Sequence, residues 1–169
     1  MPVNLELKTK LKSHTRVQKI LNSIGAEDQG ILNQKDVYYS VPKGLLKLRI
    51  ENGNESLIYY NRDEKGKNRW SDYDYLGFSE SGAEEMFNKI FEVETIVQKK
   101  RQLFLYDNTR IHLDTVKKLG KFLELETLVI KGKSDAQKRF KQILDLLELK
   151  TLSEIRKSYR DLMIENKNI

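Results

Sequence analysis

The sequence lacks cysteine altogether, and its 169 residues include only 2 prolines and 9 glycines. The absence of cysteine excludes disulfide bonds, zinc sites built on thiolates and cysteine nucleophiles. No segment approaches the ~18 consecutive apolar residues that a membrane-spanning helix requires. Residues 1–6 also lack the basic region followed by an apolar stretch that marks a secretory signal. We therefore expect a cytoplasmic protein with no membrane partner.

Charged residues are numerous and slightly unbalanced. Lysine and arginine total 31 against 25 aspartates and glutamates, which gives a formal net charge of +6, and 38% of the residues are hydrophobic. That apolar fraction is enough to bury a core, and the length predicts one domain over residues 1–169, with a polar tail from about residue 165. The positive excess favours an anionic partner without identifying it.

Strict alternation of apolar and polar residues marks the first predicted strand. Residues 3–12 place Val3, Leu5 and Leu7 on one face and charged residues on the other. A period of two is typical of a β-strand with one apolar face. Similar patterns predict strands at residues 34–39, 45–50, 56–62, 69–75, 92–106, 110–114 and 122–131. Tight turns between several of them favour antiparallel pairing.

Four segments have the apolar spacing of helices. Their predicted starts, in chain order, are Ser13, Ser79 or Ser81, Ser134 and Thr151. We expect Met86, Phe87 and Ile90 to lie on one side of the second helix. Thr151 and Glu154 fit the capping box of the fourth helix. Combined with about eight strands, these helices predict an α+β fold.

The charged residues of the predicted strands fall mainly on one face of each strand. Lys47 and Arg49, for example, alternate with Leu46, Leu48 and Ile50. An open sheet with one face in water explains this alternation. A closed barrel explains it as well, with the charged faces converging in the interior.

Acids and bases are sorted along these faces. The acids are Glu6, Glu124 and Glu126, near the two ends of the strand order, whereas the equivalent positions elsewhere hold bases. A solvated face has no need of such sorting. Inside a barrel, opposite charges and bound anions would compensate one another, so the sorting favours the barrel.

The strand segments contain seven motifs in a fixed order. They are residues 4–8 (NLELK), 34–39 (QKDVYY), 44–49 (GLLKLR), 97–101 (VQKKR), 110–114 (RIHLD), 119–120 (LG) and 122–126 (FLELE). Together they resemble the CYTH superfamily, the triphosphate tunnel metalloenzymes, and within it the class IV adenylate cyclase branch. The resemblance runs from residue 4 to residue 126.

This resemblance implies an eight-stranded antiparallel β-barrel, or tunnel, with helices packed on its outside. The basic interior would grip a triphosphate while acidic residues hold Mg²⁺ or Mn²⁺. By their places in the motifs, the metal ligands would be Glu6, Glu124 and Glu126. The residues that would bind the substrate are Lys8, Lys47, Arg49, Arg62, Lys99, Arg101 and Arg110. Lys8, Glu6 and Glu126 would be the catalytic residues.

Two positions depart from the family's pattern. Asn4 stands where the first acidic residue of the Glu-x-Glu-x-Lys signature is expected, so the metal site has one fewer carboxylate. An asparagine carbonyl can still ligate a hard cation, although it brings no charge. Leu45 stands where the family usually has arginine, which removes one inward guanidinium.

The resemblance implies one of two reactions, and a third hypothesis involves no catalysis. The first reaction converts ATP to cyclic AMP and pyrophosphate, and the second hydrolyses inorganic or thiamine triphosphate. The third hypothesis is a non-catalytic binder of phosphorylated ligands or RNA, which the changes at Asn4 and Leu45 favour. We expect a small-molecule triphosphate such as ATP as the partner, not a nucleic acid. A homodimer is compatible with the resemblance.

Other polar and aromatic residues have ordinary structural explanations. His112 is expected to be structural, because no second histidine completes a metal-ligand pattern with it. Asp114 is expected to orient Arg110 or to contact the metal indirectly. The aromatic residues in segment 70–75 could stack on a base, although aromatic residues on strands usually serve packing.

Overall fold

The computed structural model describes residues 3–62, 66–149 and 151–167, and the side chain of Arg62 lies outside this description. In chain order the elements are β1 (Val3–Leu11), α1 (Thr15–Ser23), β2 (Glu27–Tyr39), β3 (Leu45–Glu51), β4 (Asn54–Arg62), β5 (Trp70–Gly77), α2 (Ala83–Ile90), β6 (Val93–Tyr106), β7 (Thr109–Val116), β8 (Gly120–Leu128), α3 (Lys133–Leu146) and α4 (Tyr159–Lys167). The strands pair in the order β1-β5-β4-β3-β2-β6-β7-β8 and close into a barrel, with antiparallel pairing throughout. The predicted α+β fold with an eight-stranded antiparallel β-barrel is confirmed.

The pairing register decides which side chains meet inside the barrel. Between β1 and β8, Glu6 lies opposite Glu126, and Lys8 lies opposite Glu124. All four line the cavity inside the barrel. Since successive side chains of a strand alternate between its faces, the apolar residues between them lie on the outer face. The open sheet is therefore the wrong alternative, because closure encloses the charged face.

The outer faces of β6, β7 and β8 are covered by two helices. Val17 and Leu21 of α1 and Ile143 of α3 form one buried cluster with Ile111 and Leu123 of the barrel. Each of these side chains is at most 4% exposed. This part of the hydrophobic core thus lies between barrel and helices. Charged groups occupy much of the inner faces of the strands, although Val97, Val116 and Phe122, on the same faces as these groups, form a second buried cluster with α4.

The first three helices begin close to their predicted starts, but α2 is oriented differently from the expectation. Its Ala83 is buried in a cluster with residues of β2 and β3, and Phe87 packs against that cluster. Met86 and Ile90 are 54% and 62% exposed, so the prediction that both share the side of Phe87 is wrong. Residues four apart on a helix stack on one line, and here the line through Ala83 and Phe87 makes the apolar contacts with the barrel.

The prediction of a helix beginning at Thr151 with a capping box to Glu154 is also wrong. From residue 151 to residue 158 the chain has no helical structure. The Ile155 N–H donates to the Lys8 carbonyl oxygen at 2.7 Å, and the Arg69 guanidinium donates to the Ile155 carbonyl oxygen at 3.0 Å. Because these backbone groups are bound to other parts of the chain, they are not available for helical hydrogen bonds.

The last helix, α4, begins at Tyr159 and has its own capping box. Ser158 Oγ accepts a hydrogen bond from the Asp161 N–H at 3.1 Å, and the Asp161 carboxylate accepts one from the Ser158 N–H at 3.2 Å. This reciprocal pair satisfies two backbone donors at the helix start. The helix then buries Tyr159 and Met163 in a cluster with Phe122. The polar tail expected from about residue 165 begins within α4, and residues 168–169 lie outside the described part.

None of the helices in the described ranges combines the length and the apolar composition needed to cross a membrane.

Replacing Ser158 by alanine tests the position of this cap. We expect Ser158→Ala to lower the free energy of unfolding by about 1 kcal/mol, because it removes the oxygen that accepts from the Asp161 N–H. Thr151→Ala is the matched control: its side chain is exposed, so its loss should change stability by less than about 0.5 kcal/mol. Urea denaturation measures both values. Equal destabilisation by the two substitutions would contradict a cap at Ser158.

Candidate active site inside the barrel

The barrel encloses a cavity of about 550 Å³, which is within the range of small-molecule sites. All eight strands contribute to its wall, and Ser158 and Tyr159 contribute from the start of α4. Among the residues that line it are Glu6, Lys8, Lys47, Arg49, Lys99, Arg101, Arg110, Glu124 and Glu126, which the resemblance places in the site. Arg62 was also placed there, but its side chain lies outside the described part of the chain.

Three cations that line the cavity share one buried carboxylate, that of Asp36. We call these four residues (Asp36, Lys47, Arg49 and Lys99) the Asp36 cluster. Arg49 binds Asp36 through Nε and Nη2, each 2.8 Å from a carboxylate oxygen. The Nζ atoms of Lys99 and Lys47 lie 2.9 and 3.2 Å from Asp36 Oδ2. Asp36 has no exposed surface, so its carboxylate is removed from water, whereas Lys47, Arg49 and Lys99 line the cavity. Three cations facing one anion leave it with an excess of positive charge.

The pKa values of the Asp36 cluster follow from this imbalance. Burial alone would raise the pKa of Asp36, but Arg49, Lys47 and Lys99 hold it well below its usual value. Burial and the neighbouring Arg49 lower the pKa of Lys47 well below its usual value, and burial lowers the pKa of Lys99 as well. Asp36 is therefore ionised, whereas the negative charge near Lys47 and Lys99 is too small to hold their pKa values at the usual level. A bound anion would supply that charge.

Two carboxylates and a histidine lie together in the wall formed by β7 and β8. We call this part the acidic corner (His112, Glu124 and Glu126). Glu124 Oε1 lies 3.2 Å from Lys8 Nζ, and Glu124 Oε2 lies 2.6 Å from Arg101 Nη2. Burial alone would raise the pKa of Glu124, but Lys8 and Arg101 hold it well below its usual value. The carboxylate is thus charged and able to act as a ligand.

Asp114 pairs with Arg101 and not with Arg110, which was one of its two expected partners. The two residues are cross-strand neighbours on β6 and β7, and Arg101 Nε and Nη2 donate to the Asp114 carboxylate at 2.7 and 2.6 Å. Tyr159 OH donates to Asp114 Oδ2 at 2.8 Å. Arg110 instead pairs with Glu126, its Nη2 lying 2.8 Å from Oε2. The α4 tyrosine therefore fixes the carboxylate that in turn fixes Arg101.

The donor atoms in and beside the acidic corner fit a divalent cation. One ligand atom each from His112, Glu124 and Glu126 lies within 4.8 Å of the others. Within residues 3–62, 66–149 and 151–167, neither His112 Nδ1 nor Asn4 Oδ1 has a hydrogen-bond partner, although both are buried. The carboxylate and amide oxygens of this set suit hard cations such as Mg²⁺ and Mn²⁺.

Glu6 lies next to the acidic corner but is held by other partners. Its backbone is opposite Glu126 across β1 and β8, as the expected ligand set requires. Its carboxylate accepts a hydrogen bond from Ser71 Oγ, and Arg69 Nε lies 4.0 Å from Oε2. The role of Glu6 as a ligand of a cation bound by Glu124 and Glu126 is therefore a proposal.

The remaining wall, formed by β4 and β5, is largely uncharged. Ile58, Tyr60, Tyr73 and Tyr75 line the cavity there. Trp70 instead lies beside α3, where Lys133 Nζ is 4.8 Å from the centre of its ring. Of the aromatic residues in segment 70–75, the two tyrosines are therefore available to a base and the tryptophan is in a packing position.

Several site residues carried no functional prediction from the sequence. Asp36 lies within a recognised motif. It has the same position in the alternation as Gln34 and Tyr38, and this pattern was the signal that places it on the inner face. His112 carried the same signal, in phase with Arg110. Tyr159 carried none, because it enters the cavity from a helix that follows a non-helical segment.

The geometry defines a class of protein: a closed antiparallel tunnel barrel whose interior pairs an excess of cations on one side with carboxylates on the other. The CYTH domain model matches residues 3–159, and the chain belongs to this family.

Individual relatives agree with this assignment. A Methanocaldococcus jannaschii protein that is named, provisionally, as an adenylate cyclase is 25% identical over 172 residues, covering 95% of this chain and 98% of its own. The structure of the PH1012 protein from Pyrococcus horikoshii has a TM-score of 0.83 at 25% identity, with 94% and 98% of the two chains covered. A Hippeastrum protein named as an adenylyl cyclase, with a dominant triphosphatase activity, has a TM-score of 0.69 at 10% identity and shares the fold over 99% and 96% of the chains.

The depressed pKa of Asp36 makes a prediction about acid stability. Because the pKa is lower in the folded than in the unfolded protein, its contribution to stability is complete above the ordinary value of 3.8 and is lost as the pH falls towards the folded value. We expect Asp36→Asn to lose about 3–5 kcal/mol of unfolding free energy at pH 7 and to show a weaker decline below pH ~4.

Chemical denaturation across a pH series measures this effect. Asp74→Asn, which changes an exposed aspartate of β5, is the control and should follow the unmodified protein. If Asp36→Asn kept full stability at pH 7, the three cations would not depend on this carboxylate.

Proposed function

We propose that this protein is a metal-dependent enzyme that converts ATP to cyclic AMP and pyrophosphate inside the barrel. The observation that carries the proposal is the separation of charge within one cavity. The Asp36 cluster has three cations for one carboxylate, whereas Glu124 and Glu126 face the same space from β8. A chain of phosphates bridged to a divalent cation complements both sides at once.

The proposed roles follow from these positions. Lys47, Arg49 and Lys99 bind the terminal phosphates, which become the pyrophosphate leaving group, and Arg101 is held rigid by Asp114 to contact the phosphate chain. A cation held by Glu124 and Glu126 would offset the charge that develops on the phosphates. The ribose 3′-oxygen forms a bond to the α-phosphorus while the bond from that phosphorus to the bridging oxygen breaks. The hydroxyl proton passes to Glu6, while Glu126 acts in catalysis by holding the cation.

Lys8 has a supporting place in this scheme. Its Nζ lies 3.2 Å from Glu124 Oε1, donates to the Lys157 carbonyl oxygen at 3.0 Å and sits 4.1 Å from the centre of the Tyr159 ring. Three contacts fix the ammonium group beside the metal-binding carboxylate. We infer that Lys8 stabilises negative charge on the phosphates near the reacting phosphorus.

The uncharged wall supports a nucleotide as the substrate. Inorganic triphosphate needs only cations, whereas a nucleobase needs an aromatic or apolar surface, which Ile58, Tyr60, Tyr73 and Tyr75 provide. The name of the Methanocaldococcus relative agrees with this choice. Hydrolysis of inorganic or thiamine triphosphate uses the same charges and is the competing outcome of the assay.

Product analysis with a glutamate variant tests the proposal. The protein is incubated with ATP, or with inorganic tripolyphosphate, in the presence of Mg²⁺ or Mn²⁺, and the products are separated. We expect cyclic AMP and pyrophosphate from ATP, and a loss of at least ~100-fold in Glu126→Gln because the cation loses a charged ligand. Glu85→Gln on the exposed face of α2 is the control and should keep full activity.

Each other outcome has a definite meaning. Orthophosphate as the main product would replace the cyclase by a triphosphatase. Absence of turnover with every triphosphate and both metals would contradict both enzymatic hypotheses and favour a non-catalytic binder. Full activity of Glu126→Gln would show that the cation is held elsewhere.

The tyrosine wall makes a separate prediction about substrate choice. We expect Tyr75→Ala to raise the KM for ATP about 10-fold, because stacking of a base on an aromatic ring contributes about 1–3 kcal/mol. The affinity for tripolyphosphate, measured on the same variant by calorimetry, should stay within about twofold, since that ligand has no base. A parallel loss for both ligands would mean that Tyr75 supports the cavity without contacting a base.

A further inference from the structure

One nitrogen of a buried imidazole in the acidic corner lacks a hydrogen-bond partner. His112 is 4% exposed, and its Nδ1 has no hydrogen bond to any residue in the described ranges. The nearest acidic oxygens, Glu124 Oε2 and Glu126 Oε1, lie 3.7 and 3.8 Å away, beyond hydrogen-bond distance. Leaving a buried polar atom without a hydrogen bond destabilises the folded protein, so a partner for Nδ1 is expected.

These three atoms lie close enough together for one ion to reach all of them after a small adjustment. In octahedral coordination with bonds of about 2.1 Å, adjacent ligands lie about 3 Å apart and opposite ones about 4.2 Å apart. The separations of 3.7 and 3.8 Å fall between these values. A small movement of two carboxylates would bring both oxygens and the nitrogen onto a single cation.

The surrounding charges also favour a cation at this point. Glu124 and Glu126 place two carboxylates beside His112. Arg101 and Arg110 each bind one oxygen of these carboxylates, Glu124 Oε2 and Glu126 Oε2. Glu126 Oε1 faces His112, so at least one carboxylate oxygen remains for a shared ion.

We propose that His112 Nδ1 ligates the divalent cation of the barrel together with Glu124 and Glu126, and that this nitrogen makes the site prefer Mn²⁺ to Mg²⁺. The inference rests on the proposed function for the presence of a cation. Mg²⁺ favours oxygen ligands almost exclusively and gives up its water reluctantly, whereas transition-metal ions accept an imidazole nitrogen more readily. A carboxylate pair alone would discriminate less between the two ions.

Pulsed electron paramagnetic resonance of bound Mn²⁺ tests the nitrogen ligand directly. The protein contains only two histidines, His14 and His112, so labelling histidine with nitrogen-15 identifies any imidazole signal. Spectra are recorded with Mn²⁺ alone and again with Mn²⁺ and inorganic tripolyphosphate. We expect a histidine nitrogen coupling in the unmodified protein and in His14→Gln, and none in His112→Gln. His14 is the matched control because its Nε2 contacts the Phe122 carbonyl oxygen outside the acidic corner.

Binding affinities provide the second measurement. We expect His112→Gln to weaken Mn²⁺ binding by about 10-fold or more and Mg²⁺ binding by less than about threefold. Equal weakening of both ions would contradict the preference for Mn²⁺. If His112→Gln did not fold, the His14→Gln spectrum would still decide, since His112 is then the single remaining histidine.

The outcomes separate this inference from the proposed function. Bound Mn²⁺ without a histidine coupling would overturn the role of His112 while leaving a metal-dependent enzyme in place. Failure of Mn²⁺ to bind, with or without tripolyphosphate, would overturn both. Turnover that is metal-dependent in His112→Gln but no longer favours Mn²⁺ would support both.

Discussion

Closing the sheet into a barrel removes one face of every strand from bulk water, and the rest of the structure depends on that constraint. Charged side chains on that face must find partners inside, because an unpaired buried charge is costly. Asp36 is the partner of three cations at once. Asp114 and Glu124 are the partners of Arg101. The same closure sends apolar residues outward, where α1, α2 and α3 cover them.

Charges and hydrogen-bonding groups inside the barrel are only partly paired, and the unpaired groups are the ones available to a ligand. The Asp36 cluster holds more positive than negative charge, while His112 Nδ1 and Asn4 Oδ1 are buried donor or acceptor atoms without partners in the described ranges. The proposed triphosphate with its cation would complete both deficits together. Removing either ligand restores the cost, so the two should bind cooperatively. The unpaired groups therefore lower the stability of the barrel and at the same time provide binding energy for a ligand.

Much of the fold was predictable because alternation is a local property. The period of two located the strands and separated Lys47 and Arg49 from their apolar neighbours. An open sheet has the same period, so closure could not be predicted from alternation alone. The failed helix at Thr151 has a related cause: a capping pattern is local, whereas the bond from Ile155 to the Lys8 backbone joins distant parts of the chain. The closeness of His112 to Glu124 and Glu126 could not be predicted from its own segment, because these neighbours come from another strand.

The central claim is that the barrel interior binds a triphosphate between the Asp36 cluster and a cation at the acidic corner. Anomalous X-ray diffraction from crystals grown with Mn²⁺ and a non-hydrolysable ATP analogue tests it most directly. The account predicts one Mn²⁺ peak beside Glu124 and Glu126, with phosphates extending towards Lys47, Arg49 and Lys99. Phosphates and Mn²⁺ bound only on the outer surface, with the cavity occupied by water, would contradict it.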